Sequence, residues 1–148
     1  MTDSKFTTVV LKYYREYGRH ELPWRKTTNP YQILVSEVML QQTQVHRVLP
    51  KYREFLRQFP STKRLAEVPL GDVLRAWQGL GYNRRAKLLR ECAQRITDQH
   101  EGRWPRSHEG LQQLPGIGSY TAGAIMAFAF NTPVPIIETN IRTVYLHH

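Results

Sequence analysis

Nowhere along this chain do apolar and polar residues alternate with the period of two that a half-buried strand requires. The apolar positions recur at helical spacing instead, and glycine and proline punctuate them. An all-α fold is therefore predicted, with helices over about 6–17, 31–45, 46–58, 62–67, 70–78, 83–100, 108–113, 119–130 and 140–147. Leu22-Pro23-Trp24-Arg25 reads as an extended connector. Asn29 and Pro30 read as the N-cap and first residue of the helix that follows. In 83–100, Ala86, Leu89, Cys92, Ala93 and Ile96 share the inward face, while Arg84, Arg85, Lys87, Arg90 and Arg95 point mostly outward, with two or three of them available to phosphates. The chain has 148 residues, enough for one sizeable core or two small ones.

Helix 31–45 carries an anomaly. Ile33-Leu34-Val35-Ser36-Glu37-Val38-Met39-Leu40 is otherwise almost wholly apolar, the mark of a buried helix, yet it contains Glu37. A carboxylate there costs several kcal/mol unless it is paired or protonated. Gln41, Gln42, Thr43 and Gln44 follow at once. An acid in an apolar helix with amides beside it suits a general acid held partly protonated near neutral pH. A buried glutamate satisfied by backbone donors or by an arginine fits this segment equally well.

Charge narrows the partner. Lys plus Arg is 21 against 12 Asp plus Glu, a formal +9. That excess points to a polyanion, nucleic acid first and anionic membrane second; a basic protein with no such partner is the alternative. The basic residues are spread over several helices, which fits a membrane surface poorly. No apolar run is long enough to span a bilayer, and Met1-Thr2-Asp3-Ser4-Lys5 lacks the apolar core of a signal peptide. Cys92 is the only cysteine, so neither an internal disulfide nor a multi-thiolate metal site is available. The six histidines, His147 and His148 among them, show no ligand spacing. An intracellular, cytoplasmic protein without a metal site of its own is expected.

A second segment carries chemistry. In Leu114-Pro115-Gly116-Ile117-Gly118-Ser119-Tyr120-Thr121-Ala122-Gly123-Ala124, two glycines flank an apolar residue and make a tight hairpin anchored by Ile117. A helix opens at about Ser119. The backbone N–H groups of hairpin and helix start form an anion nest, aided by the helix dipole. Alone, such a turn is only a turn. Between a short helix and a small-residue helix in a basic chain, it reads as a sequence-independent phosphate clamp.

Leu-Pro-Gly-Ile-Gly-x-x-Thr-Ala resembles the helix-hairpin-helix of the DNA glycosylase superfamily that includes endonuclease III. Ser36 to Val45, Leu22-Pro23-Trp24, Gly79-Leu80-Gly81-Tyr82 and Pro115 to Ala124 are similar to its adenine DNA glycosylase branch, and the resemblance runs along essentially the whole chain. It implies a six-helix glycosylase domain over 22–135, with the helix-hairpin-helix at 108–124. It also implies an incomplete second helical domain, formed by 1–21 and by the return segment 136–148. The substrate it implies is double-stranded DNA with a mispaired or oxidised base.

Glu37 then matches the acid that protonates adenine and helps position water. Tyr82 matches an aromatic wedge pushed into the base stack, with a surface-packed tyrosine as the alternative reading. Gln42 matches a side chain inserted near the mispair, with Gln41 and Thr43 beside it. Gly116, Gly118 and Ser119 match the phosphate clamp. Tyr120 stands where the glycosylase-lyases carry lysine, so the resemblance implies a monofunctional enzyme with water as the final nucleophile.

The chain departs from that pattern at four places. Glu138, in Val134-Pro135-Ile136-Ile137-Glu138-Thr139-Asn140, stands where the family has an aspartate that stabilises the sugar cation. The alternative for it is a charge at a helix N-terminus. Thr139 replaces a usual glycine, and Asn83 replaces a usual tyrosine. The four cysteines that hold an iron–sulfur (4Fe-4S) cluster in full-length relatives are absent, so no cofactor is expected here. The sequence thus reads as a fragment or shortened product with apolar surface exposed along helix 6–17. Two rivals stay open: a mismatch thymine or uracil glycosylase of the same superfamily, and a chemically silent DNA-binding fragment.

Overall fold

A computed structural model describes residues 3–135 and 137–147, and among them only helices, turns and loops occur. In order they are α1 (Asp3–Tyr17), a 3-10 turn (Pro23–Arg25), α2 (Pro30–Leu40), α3 (Val45–Gln58), α4 (Thr62–Glu67) and α5 (Leu70–Trp77). There follow α6 (Arg84–Gln99), α7 (His108–Gln112), α8 (Ser119–Phe130) and α9 (Thr139–His147). None of these is long and apolar enough to cross a membrane. The chain divides into two compact units, Thr27–Ile136 and Met1–Lys26 with Ile137–His148.

The larger unit is organised around α2 and α8, which pack on each other. α2 buries Tyr31, Ile33, Leu34, Val35, Ser36, Val38 and Met39, and α8 buries Thr121 to Met126 without a break. A helix with no polar face belongs in the middle of a domain. Ala122, Gly123 and Ala124 are small enough to let the neighbouring backbone come close. Around this pair the amphipathic helices each bury one stripe: Val48, Tyr52 and Phe55 from α3, Val73 and Trp77 from α5. α6 buries Ala86, Leu89, Cys92, Ala93 and Ile96, the face that the sequence predicts. Phe55 meets Trp77 edge-on at 5.9 Å, a favoured aromatic geometry. The Tyr31 hydroxyl donates to the Phe59 carbonyl at 2.6 Å.

α2 begins as predicted, with Asn29 Oδ1 accepting from the N–H groups of Tyr31 (2.9 Å) and Gln32 (3.4 Å). Its end does not match the predicted helix to 45. It stops at Leu40, Gln42 takes φ +56°, and a new helix starts at Val45. The predicted connector is also tighter than expected. Pro23 presets φ for a 3-10 turn, in which Arg25 N–H donates to Leu22 O (2.9 Å) and Lys26 N–H to Pro23 O (3.1 Å).

In the smaller unit α1 ends at the glycine that the sequence marked, Gly18 N–H donating to Tyr14 O at 2.8 Å. The Phe6 and Tyr145 rings lie 6.1 Å apart. Val9, Val10, Leu11, Tyr13, Tyr14 and Tyr17 of α1 are exposed.

Candidate active site

Glu37 sits on α2 between buried Ser36 and buried Val38, itself half-buried. The Ser36 hydroxyl donates to its own helix, at the Ile33 carbonyl (2.8 Å). Among the described residues no hydrogen bond or ion pair reaches the Glu37 carboxyl, and burial alone pushes its pKa up to about 7. The backbone donors or arginine of the alternative reading are not at the carboxyl among the described residues. A carboxyl in that state is divided between acid and base at neutral pH, the condition for general acid catalysis.

One turn further on, the chain leaves the helix. Gln41 and Gln42 are exposed and Thr43 is half-buried. The second loop, between α5 and α6, carries Gly79 at φ +91°, Gly81 at +72° and Tyr82 at +48°. Leu80 is its buried anchor, and Trp77 Nε1 donates to Gly81 O at 3.1 Å. Tyr82 is 66% exposed, so its ring is presented rather than packed away. A left-handed φ is uncommon for a bulky residue and marks a conformation imposed by its surroundings.

Arg85 imposes much of it. Its Nη1 donates to the carbonyls of Val38 (2.8 Å), Met39 (3.3 Å) and Gln41, the open end of α2. Its Nη2 donates to Thr43 Oγ1 (3.4 Å) and to the carbonyls of Leu80 (3.2 Å) and Gly81 (3.2 Å). The guanidinium lies 5.5 Å from the centre of the Trp77 ring and 5.6 Å from that of Tyr82. The sequence placed Arg85 on the outward face of α6; the structure corrects this, because a helix end without a C-cap glycine needs another donor for its last carbonyls. That missing cap was the available signal. Arg90 and Arg95 also reach backbone carbonyls, at Val68 O (2.7 Å) and Gln113 O (3.0 Å), but Arg95 stays exposed like Arg84 and Lys87, and Lys87 lies 3.7 Å from Glu91.

The hairpin lies against the same helix. Ile117 is buried as its anchor. Gly116 has φ +76°, and a Cβ there would come within 2.9 Å of Leu88 Cβ. Gly118 is different: a Cβ built on it meets nothing within 4 Å. The packing leaves room for a side chain at that position. α8 opens there without a side-chain cap, as an anion site requires. Ser119 and Tyr120 are exposed, and His108 Nε2 lies 3.0 Å from Ser119 O. Gln41 and Gly116 line one small cavity together with Arg85, Leu88 and Cys92. The larger unit thus gathers Gln41, Thr43, Tyr82 and Gly116 around the first turns of α6.

Glu138 belongs to the smaller unit, where it is half-buried and caps α9. Its Oε1 accepts from Ile141 N–H at 2.9 Å, and its carbonyl accepts from Arg142 N–H at 2.8 Å. Thr139 is the first residue of that helix. The neighbouring Ile136, like His148, lies outside the described residues. Cys92 is the chain's single cysteine, burial pushes that thiol up to about 12, and no metal-holding group of three ligands occurs among the described residues.

Residues 35–148 match the model of the HhH-GPD superfamily of base excision DNA repair proteins. An adenine DNA glycosylase of Buchnera aphidicola (strain Bp) is 40% identical over 148 residues, all of this chain and 42% of that protein. One from Mycobacterium tuberculosis (strain H37Rv) is 47% identical over 138 residues, 93% of this chain and 45% of that protein. The chain therefore spans less than half the length of these curated relatives. A solved thermostable thymine-DNA glycosylase superposes with a TM-score of 0.81 at 30% identity, over 87% of this chain and 59% of that one.

Proposed function

The chain belongs to the HhH-GPD superfamily of base excision DNA repair proteins, and on that premise we propose that it removes adenine mispaired with guanine or 8-oxoguanine from double-stranded DNA. The observation that carries this reading is Glu37, a carboxyl without a hydrogen-bond or ion-pair partner among the described residues whose pKa burial raises to about 7, one turn before the end of α2, where Gln41 opens the loop.

Adenine leaves poorly as an anion. Protonated by Glu37 at a ring nitrogen, it departs as the neutral base with the electron pair of its bond to the sugar. Water then adds to the sugar carbon and its proton returns to the Glu37 carboxylate. Glu138 supplies negative charge to the sugar cation in this scheme. The target base must first leave the stack, and Tyr82 and Gln42 offset the lost stacking from the two loops. The uncapped start of α8, with Gly116, Gly118 and Ser119, holds the backbone phosphates. Tyr120 offers no amine for a Schiff base, so the product is an abasic site and the strand stays intact. Such a protein works where chromosomal DNA lies, in the cytoplasm and, in a bacterium, at the nucleoid.

The likeness to a thymine-DNA glycosylase supports a second substrate reading, but thymine has less need of the acid. Single-turnover excision on duplexes with adenine or thymine in the mispair, read by alkaline cleavage, separates the two. Adenine release that disappears in Glu37→Gln is the expected result. Duplex binding with no release of either base would leave only a binding module.

A further inference from the structure

We propose that Arg85 is a positioning residue that locks the two DNA-facing loops into one unit, so that Gln42 and Tyr82 enter the duplex together. The proposal rests on the reading of those two side chains as insertion residues. The observation behind it is the division of labour within one guanidinium. Nη1 takes only acceptors at the end of α2 and the start of its loop, and Nη2 takes Thr43 on that loop and the Leu80 and Gly81 carbonyls on the other. None of these acceptors is a carboxylate, so the contacts are made to hold backbone rather than to neutralise charge. Arg85 Nε is buried without a partner among the described residues, which leaves the whole attachment to the two terminal nitrogens.

Of the four non-glycine residues at positive φ among the described residues, Gln42 (+56°) and Tyr82 (+48°) lie on the loops that Arg85 ties, while Glu101 and Asn131 lie elsewhere. A left-handed conformation at such residues persists only where neighbours over-determine it. The Tyr82 ring also rests on the guanidinium, so a displacement of one loop reaches the other through a single rigid, planar group. Arg47, at the start of α3, adds an exposed contact to Gly79 O, and among the described residues no side-chain hydrogen bond joins it to the end of α2 or to Tyr82.

Lysine at this position separates the roles. It keeps the charge and three donors but places them on one atom, so it cannot serve both the α2 carbonyls that Nη1 takes and the acceptors that Nη2 takes. Arg85→Lys is expected to unfold within a few degrees of the wild type and to bind a matched duplex within about 2-fold, because the hairpin is untouched. Fluorescence of 2-aminopurine placed in the mispair, which reports base opening without any chemistry, is expected to rise at least ~10-fold less. Single-turnover adenine release should fall in parallel while keeping its pH midpoint near 7, set by Glu37. Base opening equal to wild type would overturn the proposal, as would an equal loss of matched-duplex binding, which a merely structural role produces.

If the variant does not fold, the wild type still decides the matter through hydrogen exchange. The Thr43 and Leu80 amides, bonded within their own loops to Leu40 O (3.4 Å) and Trp77 O (3.2 Å), should open with constants within about 3-fold of each other and a common denaturant slope. Independent values would refute the link. A wild type that opens 2-aminopurine but releases no adenine removes the glycosylase reading and leaves this one standing; a wild type that opens nothing removes the insertion reading, and this proposal with it.

Discussion

Gly116 and Leu88 are in contact at the limit of what atoms allow: a methyl group on Gly116 would lie 2.9 Å from Leu88 Cβ. Gly116→Ala therefore meets both a clash with a Cβ that cannot swing aside and a φ of +76°. A loss of about 1–3 kcal/mol in denaturant unfolding is expected. Gly118→Ala is the informative partner, since its Cβ meets nothing within 4 Å. Its stability should stay within about 0.5 kcal/mol of wild type, while matched-duplex affinity by fluorescence anisotropy drops about tenfold, or ~1.4 kcal/mol. Unchanged affinity would remove Gly118 from the phosphate clamp.

Glu37 couples stability to pH in the direction opposite to a salt-bridged acid. Its pKa is raised to about 7 from a usual 4.5, so between those values the folded chain holds a proton that the unfolded chain has lost. Stability from this group is full below about 4.5, declines as pH rises to about 7, and is flat above. Glu37→Gln, always neutral, should lack this decline. The variant is expected to exceed wild type by on the order of 1–3 kcal/mol at pH 8 and to match it near pH 4. Parallel stability curves across pH 4–8 would contradict a protonated Glu37.

Tyr82 is held at φ +48°, which glycine adopts freely and alanine does not. Tyr82→Gly should be more stable than Tyr82→Ala by about 1 kcal/mol in urea unfolding. Both should lose base opening on a 2-aminopurine duplex, because neither has a ring to insert. Equal stability of the two variants would mean that the loop relaxes out of the left-handed region.

Glu138 combines a cap and a charge, and the two can be parted. Glu138→Gln retains an oxygen for Ile141 N–H, whereas Glu138→Ala loses it at a cost of about 1 kcal/mol. If the charge serves the sugar cation, adenine release should fall ~10²-fold or more in Glu138→Gln with thermal stability unchanged. Release that follows the cap, normal in Gln and reduced in Ala, would leave Glu138 a structural residue.

What the sequence made legible follows from which interactions are local. Asn29 before Pro30, Gly18 after α1 and the inward face of α6 are set by neighbours within a turn or two, and all stand where they were expected. The unusual acid was visible as a break in an apolar run. The end of α2 was not, because it depends on Arg85, more than forty residues away in sequence, donating to Val38 and Gln41. The same long-range bonds turned an apparently solvated arginine inward. Arg95, bonded to Gln113 O, escaped for the same reason.

α6 also acts as a gauge. Arg85 stands in its first turn, Leu88 touches the hairpin one turn later, and Arg95 reaches Gln113 two turns beyond that. A helix advances about 1.5 Å and 100° with every residue, so the offset from the Tyr82 loop to the Gly116 turn is encoded as a residue count along one rigid rod. One residue inserted between Arg85 and Leu88 would rotate the hairpin's seat by about 100° relative to the loops, without altering a single side chain in either. On the proposed reading, that count sets the footprint on the duplex.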